Sequence, residues 1–263
     1  MPRNVLMIGN SHSAAPRIAL RDDPGRWPDF CPEVVAMPGD TLRGLELRDA
    51  TLVPKTAELR GKMLHYNGIP DLPLAEYDAF VVIGGLGFHR MAEPGLTHPA
   101  PDFPSVAPGG ALQGGALVST GFIDAVMAHH IAGSTALRMI RGLAGLGQGP
   151  VLFMDQPFPS LDCRADPQNF AGLVTLAARG DAGALYARFM QLLARALPKG
   201  ARHLPQPAPT VRDQVFTAPE WMRGSVRMQP RRDVPHEATE YGHANPAYGG
   251  LQIDMISQAF AAL

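Results

Sequence analysis

The sequence predicts an α/β protein built on a mainly parallel, doubly wound sheet of five strands. Three observations lead there. Short apolar runs recur along the 263-residue chain, and each stops at glycine, proline or another turn residue. The runs show no alternation of apolar and polar residues, which is the pattern of strands covered on both faces. Segments with helical spacing lie between and after them, and strands alternating with helices argue for a doubly wound sheet. Ligands in such sheets bind beyond the carboxyl ends of the strands.

The elements follow in order. Val5-Leu6-Met7-Ile8 is the first run and stops at Gly9. Val34-Val35-Ala36-Met37 runs into Pro38-Gly39, and Ala79-Phe80-Val81-Val82-Ile83 into Gly84-Gly85. Val151-Leu152-Phe153-Met154 ends at Asp155-Gln156-Pro157, and a weaker fifth strand is expected at Ala201-Arg202-His203-Leu204. Residues 134–143 carry Leu137, Ile140 and Leu143 in a helical pattern, with Ser134 as N-cap. Residues 183–197 place Leu185, Phe189, Leu192, Leu193 and Ala196 on one helical face, and a last helix is expected from Gly249 onward. The whole of 1–263 reads as a single domain. Two Pro-bearing stretches, 93–115 and 205–235, fit no plain element and are expected as loop insertions at the rim of a site.

Composition narrows the function. Hydrophobic residues make up 46% and charged residues 18%, so a sizeable core can form and disorder is excluded. A formal net charge of -1 offers no long-range field toward nucleic acid or an anionic membrane, so neither is expected as a partner. The two cysteines, Cys31 and Cys163, have no disulfide-framework or metal spacing. The first apolar run is too short for a signal peptide, and no stretch reaches the roughly 18 apolar residues of a membrane helix. A cytoplasmic protein without a membrane span is the expectation.

Two segments carry chemistry. The first strand ends in Gly9-Asn10-Ser11-His12-Ser13. A serine at a sharp strand-to-helix turn exposes its hydroxyl and presents its own N–H to a developing oxyanion. A free serine is a weak nucleophile and needs a base oriented by a third group. Near the C-terminus, Glu240-Tyr241-Gly242-His243 supplies both. A carboxylate on Nδ1 of His243 leaves Nε2 for the serine and stabilises the imidazolium. Asp233-Val234-Pro235-His236 has the same spacing, but only His243 is followed by Asn245, Tyr248, Gly249 and the last apolar helix. His243 is the preferred base because that following context is the one that resembles a known hydrolase family.

These blocks resemble the SGNH/GDSL hydrolases. Gly9 to Ser13 resembles the family's first block, which holds the nucleophile. Pro38-Gly39-Asp40-Thr41 resembles the second, whose glycine N–H meets the oxyanion, and Glu240 to His243 the last. The matches stand in the family's order and span nearly the whole chain. The resemblance implies a flavodoxin-like three-layer α/β/α sandwich and ester or acyl hydrolysis through an acyl-serine, with a small-molecule ester or acylated sugar as substrate. An acyltransferase on the same triad, or a non-catalytic binding module, are the alternatives.

Two departures stand out. The family's third block carries an asparagine as a further oxyanion donor, and its position here holds Leu86, within Gly84-Gly85-Leu86-Gly87-Phe88-His89. Loss of one such donor costs about 100- to 1000-fold in turnover. His89 or an N–H of Gly85 to Gly87 are the candidate replacements. The acid is Glu240 where aspartate is usual, a change other triads tolerate. His12, His89, His129 and His130 raise the question of a metal, but no group of His, Cys and carboxylates has ligand spacing, and neither metal nor cofactor is expected.

Overall fold

The computed structural model describes residues 4–92, 98–106, 117–229 and 232–263. The chain runs β1 (Val5–Gly9), α1 (Ala14–Asp22), β2 (Glu33–Ala36), β3 (Leu45–Arg48), β4 (Thr51–Pro54), α2 (Ala57–Asn67), β5 (Leu72–Pro73) and β6 (Ala79–Ile83). It continues through α3 (Thr120–Gly133), α4 (Thr135–Gly145), β7 (Val151–Met154), α5 (Ala171–Ala178), α6 (Ala182–Ala196) and β8 (Ala201–His203). Two short ribbons follow, β9 (Val211–Arg212) with β10 (Phe216–Thr217) and β11 (Val226–Arg227) with β12 (Val234–Pro235), and then α7 (Pro246–Ala261).

The five expected runs are the five strands of the central sheet. Their order is β2-β1-β6-β7-β8, and every pairing is parallel. Counted among themselves they read 2-1-3-4-5, the flavodoxin-like order, whose switch point lies between β1 and β6. Register is close: Gly9 stands opposite both Ala36 and Ile83, and Ile83 opposite Met154, so four strand ends finish almost level.

Alternation along each strand feeds two cores. Leu6, Ile8, Phe80, Val82, Val151 and Phe153 face Met63, Ile131, Leu137, Leu176 and Phe189 from α2 to α6. Val5, Met7, Val81, Ile83, Leu152 and Met154 face Ala19, Ile253, Ile256 and Phe260 from α1 and α7. Residues apolar in both registers therefore have no solvated side, which accounts for runs without alternation. Ser134 caps α4 as expected, its Oγ accepting from Leu137 N at 3.1 Å. A separate antiparallel sheet, β3-β4-β5, is an addition that no pattern in the sequence announced. Among the described residues, no helix is long and apolar enough to cross a membrane.

Helices α1 and α7 approach each other at Gly249. A Cβ there would lie 2.2 Å from the carbonyl carbon and oxygen of Ala15, and main chain cannot swing aside as a side chain can. Overpacking of this kind costs about 1–3 kcal/mol. Gly249→Ala is expected to lower the thermal midpoint by roughly 2–12 °C, at about 2–4 °C per kcal/mol for a chain of this size. Circular dichroism melting checks it, and an unchanged midpoint would mean the two backbones are not this close.

Candidate active site

The site lies beyond the carboxyl ends of β2, β1, β6 and β7. At the end of β1, Gly9 O accepts from Met37 N at 2.9 Å, and Asn10 N donates to Ile83 O at 3.3 Å. Asn10 is buried, and its Oδ1 accepts from His12 N at 3.2 Å, capping the 3-10 turn Ser11–Ser13 that leads into α1. The Asn10 side chain occupies space that only a glycine leaves: a Cβ on Gly84 would lie 2.2 Å from Oδ1. Gly84 and Gly85 are both left-handed, at φ 72° and 74°, which carries the chain sharply away from β6. Ser11 is thereby held as the first residue of its turn, where the N–H has no acceptor within the helix.

His243 meets Ser11 from the other end of the chain. Its Nε2 is 2.9 Å from Ser11 Oγ, and its Nδ1 is 3.1 Å from Glu240 Oε1. Gly242 N donates to the same oxygen at 2.6 Å. The Glu240 carboxyl is pulled down to about 2, chiefly by the His243 hydrogen bond and also by Gly242 N–H, against the opposing effect of burial. An ionised carboxylate has no proton to give, so Nδ1 donates to it and Nε2 is left to accept from the Ser11 hydroxyl.

The loop that carries His243 is fastened on both sides. Ser160 N donates to Tyr241 O at 2.8 Å. Asn245 caps α7 through Tyr248 N at 3.0 Å, while its Nδ2 donates to Glu220 O at 2.7 Å and Arg223 O at 2.9 Å. Asn245 N also donates to Trp221 O at 2.9 Å. The alternative pair is taken apart. Asp233 holds Arg21 by two hydrogen bonds, at 2.9 and 2.7 Å, and His236 Nδ1 sits 3.1 Å from Ser225 Oγ.

His236 is nevertheless near. Its ring stacks on His243 with centroids 4.6 Å apart and 27° between planes, and His12 stacks on His243 at 4.6 Å and 13°. Three imidazoles form one pile with His243 in the middle. Burial, and then the neighbouring His243, push both outer rings below the usual histidine value, His12 furthest. They stay neutral, so a proton arriving on His243 meets no permanent charge above or below it.

Ser11 and His243 open into a pocket of about 550 Å³, which Gly39, Gly85, Arg90 and Gln156 also line. The Gly39 segment is tied to α4: Thr135 Oγ1 donates to Asp40 Oδ1 at 2.6 Å, and Arg138 donates to Leu42 O and Leu45 O, both at 2.8 Å. His130, Gly133, Ser134 and Thr135, at the junction of α3 and α4, form the far wall. His89 falls elsewhere. It borders a neighbouring hollow of about 640 Å³ with Arg90, Gln168 and Phe170, and burial brings it down to about 4. Leu86 is buried and has only a hydrocarbon side chain, and its carbonyl is taken by Gln156 N at 2.8 Å.

Of the two expected loop insertions, only parts lie among the described residues. Residues 93–97 and 107–115 lie outside the described residues. The piece between them is tied to α6 by Ser105, whose N and Oγ donate to buried Asp181 at 2.9 and 2.7 Å. Among the described residues of 205–235, none lines the Ser11 pocket. That segment backs the His243 loop through Glu220, Trp221 and Arg223, so it is scaffold rather than rim. Ribbons two residues long carry no periodicity for a sequence reading to find. The sequence reading also missed Gln156, His12 and His236 as neighbours of the pair; position at a strand end was the available signal for the first.

Among the described residues, no group of His, Cys, Asp and Glu is placed to hold a metal ion. Comparison with protein-family models, with curated proteins and with solved structures returned no match.

The buried histidines and Glu240 act in separate pH windows. His89 titrates at about 4 in the fold against 6.5 for a free histidine, so the unfolded chain takes up its proton first. Stability is expected to fall as pH drops from 6.5 toward 4, with His12 adding in the same direction. Glu240 contributes stability above 4.5 that is lost as pH falls toward 2. Urea midpoints at pH 7.5, 6 and 5 should decline for the wild type and decline less for His89→Gln. Identical slopes would show that His89 is not buried in the neutral form.

Proposed function

We propose that this chain is a serine hydrolase of the SGNH/GDSL kind, cleaving an ester or acyl group through an acyl-serine intermediate. One observation carries the reading: residues 232 positions apart meet in an unbroken hydrogen-bonded chain, Ser11 to His243 to Glu240. A surface histidine would have no reason to be held between a carboxylate and a serine at a strand end.

Each residue has a role. Ser11 Oγ attacks the carbonyl carbon as its proton passes to His243 Nε2, and Glu240 stabilises the imidazolium. The N–H groups of Ser11 and Gly39 receive the oxyanion. Collapse breaks the bond to the leaving oxygen, which takes the proton from His243 and departs as alcohol. Water then attacks the acyl-Ser11 carbonyl and gives its proton to His243, which returns it to Ser11 Oγ as the acid leaves. A pocket of about 550 Å³ suits a small ester or an acylated sugar. An alcohol taking the place of water would turn the same steps into acyl transfer.

Fluorophosphonate labelling with peptide mapping tests the assignment. An adduct is expected on Ser11, lost in His243→Ala and retained in His236→Ala. Ser11→Ala should abolish ester hydrolysis with the thermal midpoint within a few degrees, and His243→Ala should lower kcat by about 10²- to 10⁴-fold. Ester cleavage that survives Ser11→Ala would sink the proposal. Product partition with added alcohols separates hydrolysis from transfer.

A further inference from the structure

Gln156 stands at the fourth of the strand ends around the pocket, two residues beyond β7. Because β7 pairs directly with β6, Gln156 lies beside the Gly84–Gly87 turn, with its main-chain N–H fixed to Leu86 O at 2.8 Å. The residue is 7% exposed and lines the pocket together with Ser11, Gly39 and His243. A Cβ on Gly87 would lie 2.5 Å from Oε1, so the carbonyl end of the carboxamide is tucked against Gly87.

That leaves the amide nitrogen. Among the described residues no side-chain hydrogen bond reaches Gln156 Nε2, although Gln206, the other buried glutamine near this sheet edge, spends its Nε2 on Thr210 and Thr217. Nor does Nε2 belong to the polar atoms sealed from solvent without a partner. It is a donor left open on the pocket side of a buried residue. A donor that reaches the pocket and is spent on no side chain is available to a bound ligand.

We propose that Gln156 Nε2 is a third donor to the oxyanion formed on Ser11, beside the N–H groups of Ser11 and Gly39. The inference rests on the serine-hydrolase reading. Leu86, on the β6 turn, has no group to give; the neighbouring strand supplies a side-chain amide from β7 instead. A carboxamide whose main chain is fixed to Leu86 and whose oxygen lies against Gly87 has little room to turn when charge develops, which is what makes such donors effective.

The test uses full-length protein, p-nitrophenyl acetate turnover and the rate of fluorophosphonate labelling. Gln156→Ala is expected to lower kcat by about 100- to 1000-fold with KM little changed, and to slow labelling of Ser11 in parallel. Gln156→Met keeps the length and removes the donor, so it should lose as much while its thermal midpoint stays within a few degrees. Gln156→Glu, unable to donate at pH 8, should lose at least as much. A purely structural role would move the midpoint and leave kcat near wild type in whichever variant folds. Turnover that depends on Ser11 yet falls less than about threefold in Gln156→Met overturns this inference alone. Turnover indifferent to Ser11→Ala overturns both this and the hydrolase reading.

Discussion

Asn10 joins the two central strands where both of them stop. Its main chain donates to Ile83 at the end of β6, and its side chain caps the turn that begins with Ser11. The side chain needs the volume above Gly84, which a methyl group would fill. The sheet order puts this junction at the switch point, where the connections leaving β1 and β6 part to opposite faces. A crevice opens there as a matter of topology, and Asn10 decides what faces into it. Ser11, the Gly84–Gly85 turn and, through Gly9 O, the Met37–Gly39 segment all take their places from that one residue and its neighbours.

The other half of the site arrives by a different route. His243 and Glu240 lie on a loop with little regular structure, and Asn245 turns that loop into a rigid part. One side chain starts α7, satisfies two carbonyls of the 220–223 segment and so fixes the residue two positions before it. Helix α7 then seats on α1 through the bare main chain at Gly249. Because α1 begins right after Ser11, the packing of these two helices sets the distance between nucleophile and base. Small side chains at a helix crossing thus act on a hydrogen bond about one helical turn away.

Much of the fold was legible because the five strands are buried on both faces, and a run such as Ala79 to Ile83 advertises that condition directly. Helix α2 was not legible, since only Leu59 and Met63 of its residues are buried. Helix α3 buries Ile123, Met127 and Ile131 at four-residue steps, but Phe122 is exposed beside them and blurs the stripe. The sheet β3-β4-β5 is made of strands too short and too mixed to show a period. At the site, Glu240 and His243 share one short motif and Ser11 stands in another at the end of the first strand, which made them candidates in the sequence. Gly39 and Gly85 could be read because they end strands. His89 was a candidate by position; it borders a neighbouring hollow, with its ring against Gly87. Gln156 and the flanking rings of His12 and His236 depend on which strands are neighbours and which loops fold back, facts that exist only in three dimensions.

The placement of the pair also sets a schedule. Ser11 emerges from the ribosome 232 residues ahead of His243. At ordinary elongation rates of about 5–20 residues per second, that interval is on the order of tens of seconds. Throughout it Ser11 sits on a nascent chain without the histidine that it meets in the fold. On the serine-hydrolase reading, a polypeptide cut short before Glu240 carries Ser11 and neither of the residues proposed to activate it, so such truncated products would be chemically silent.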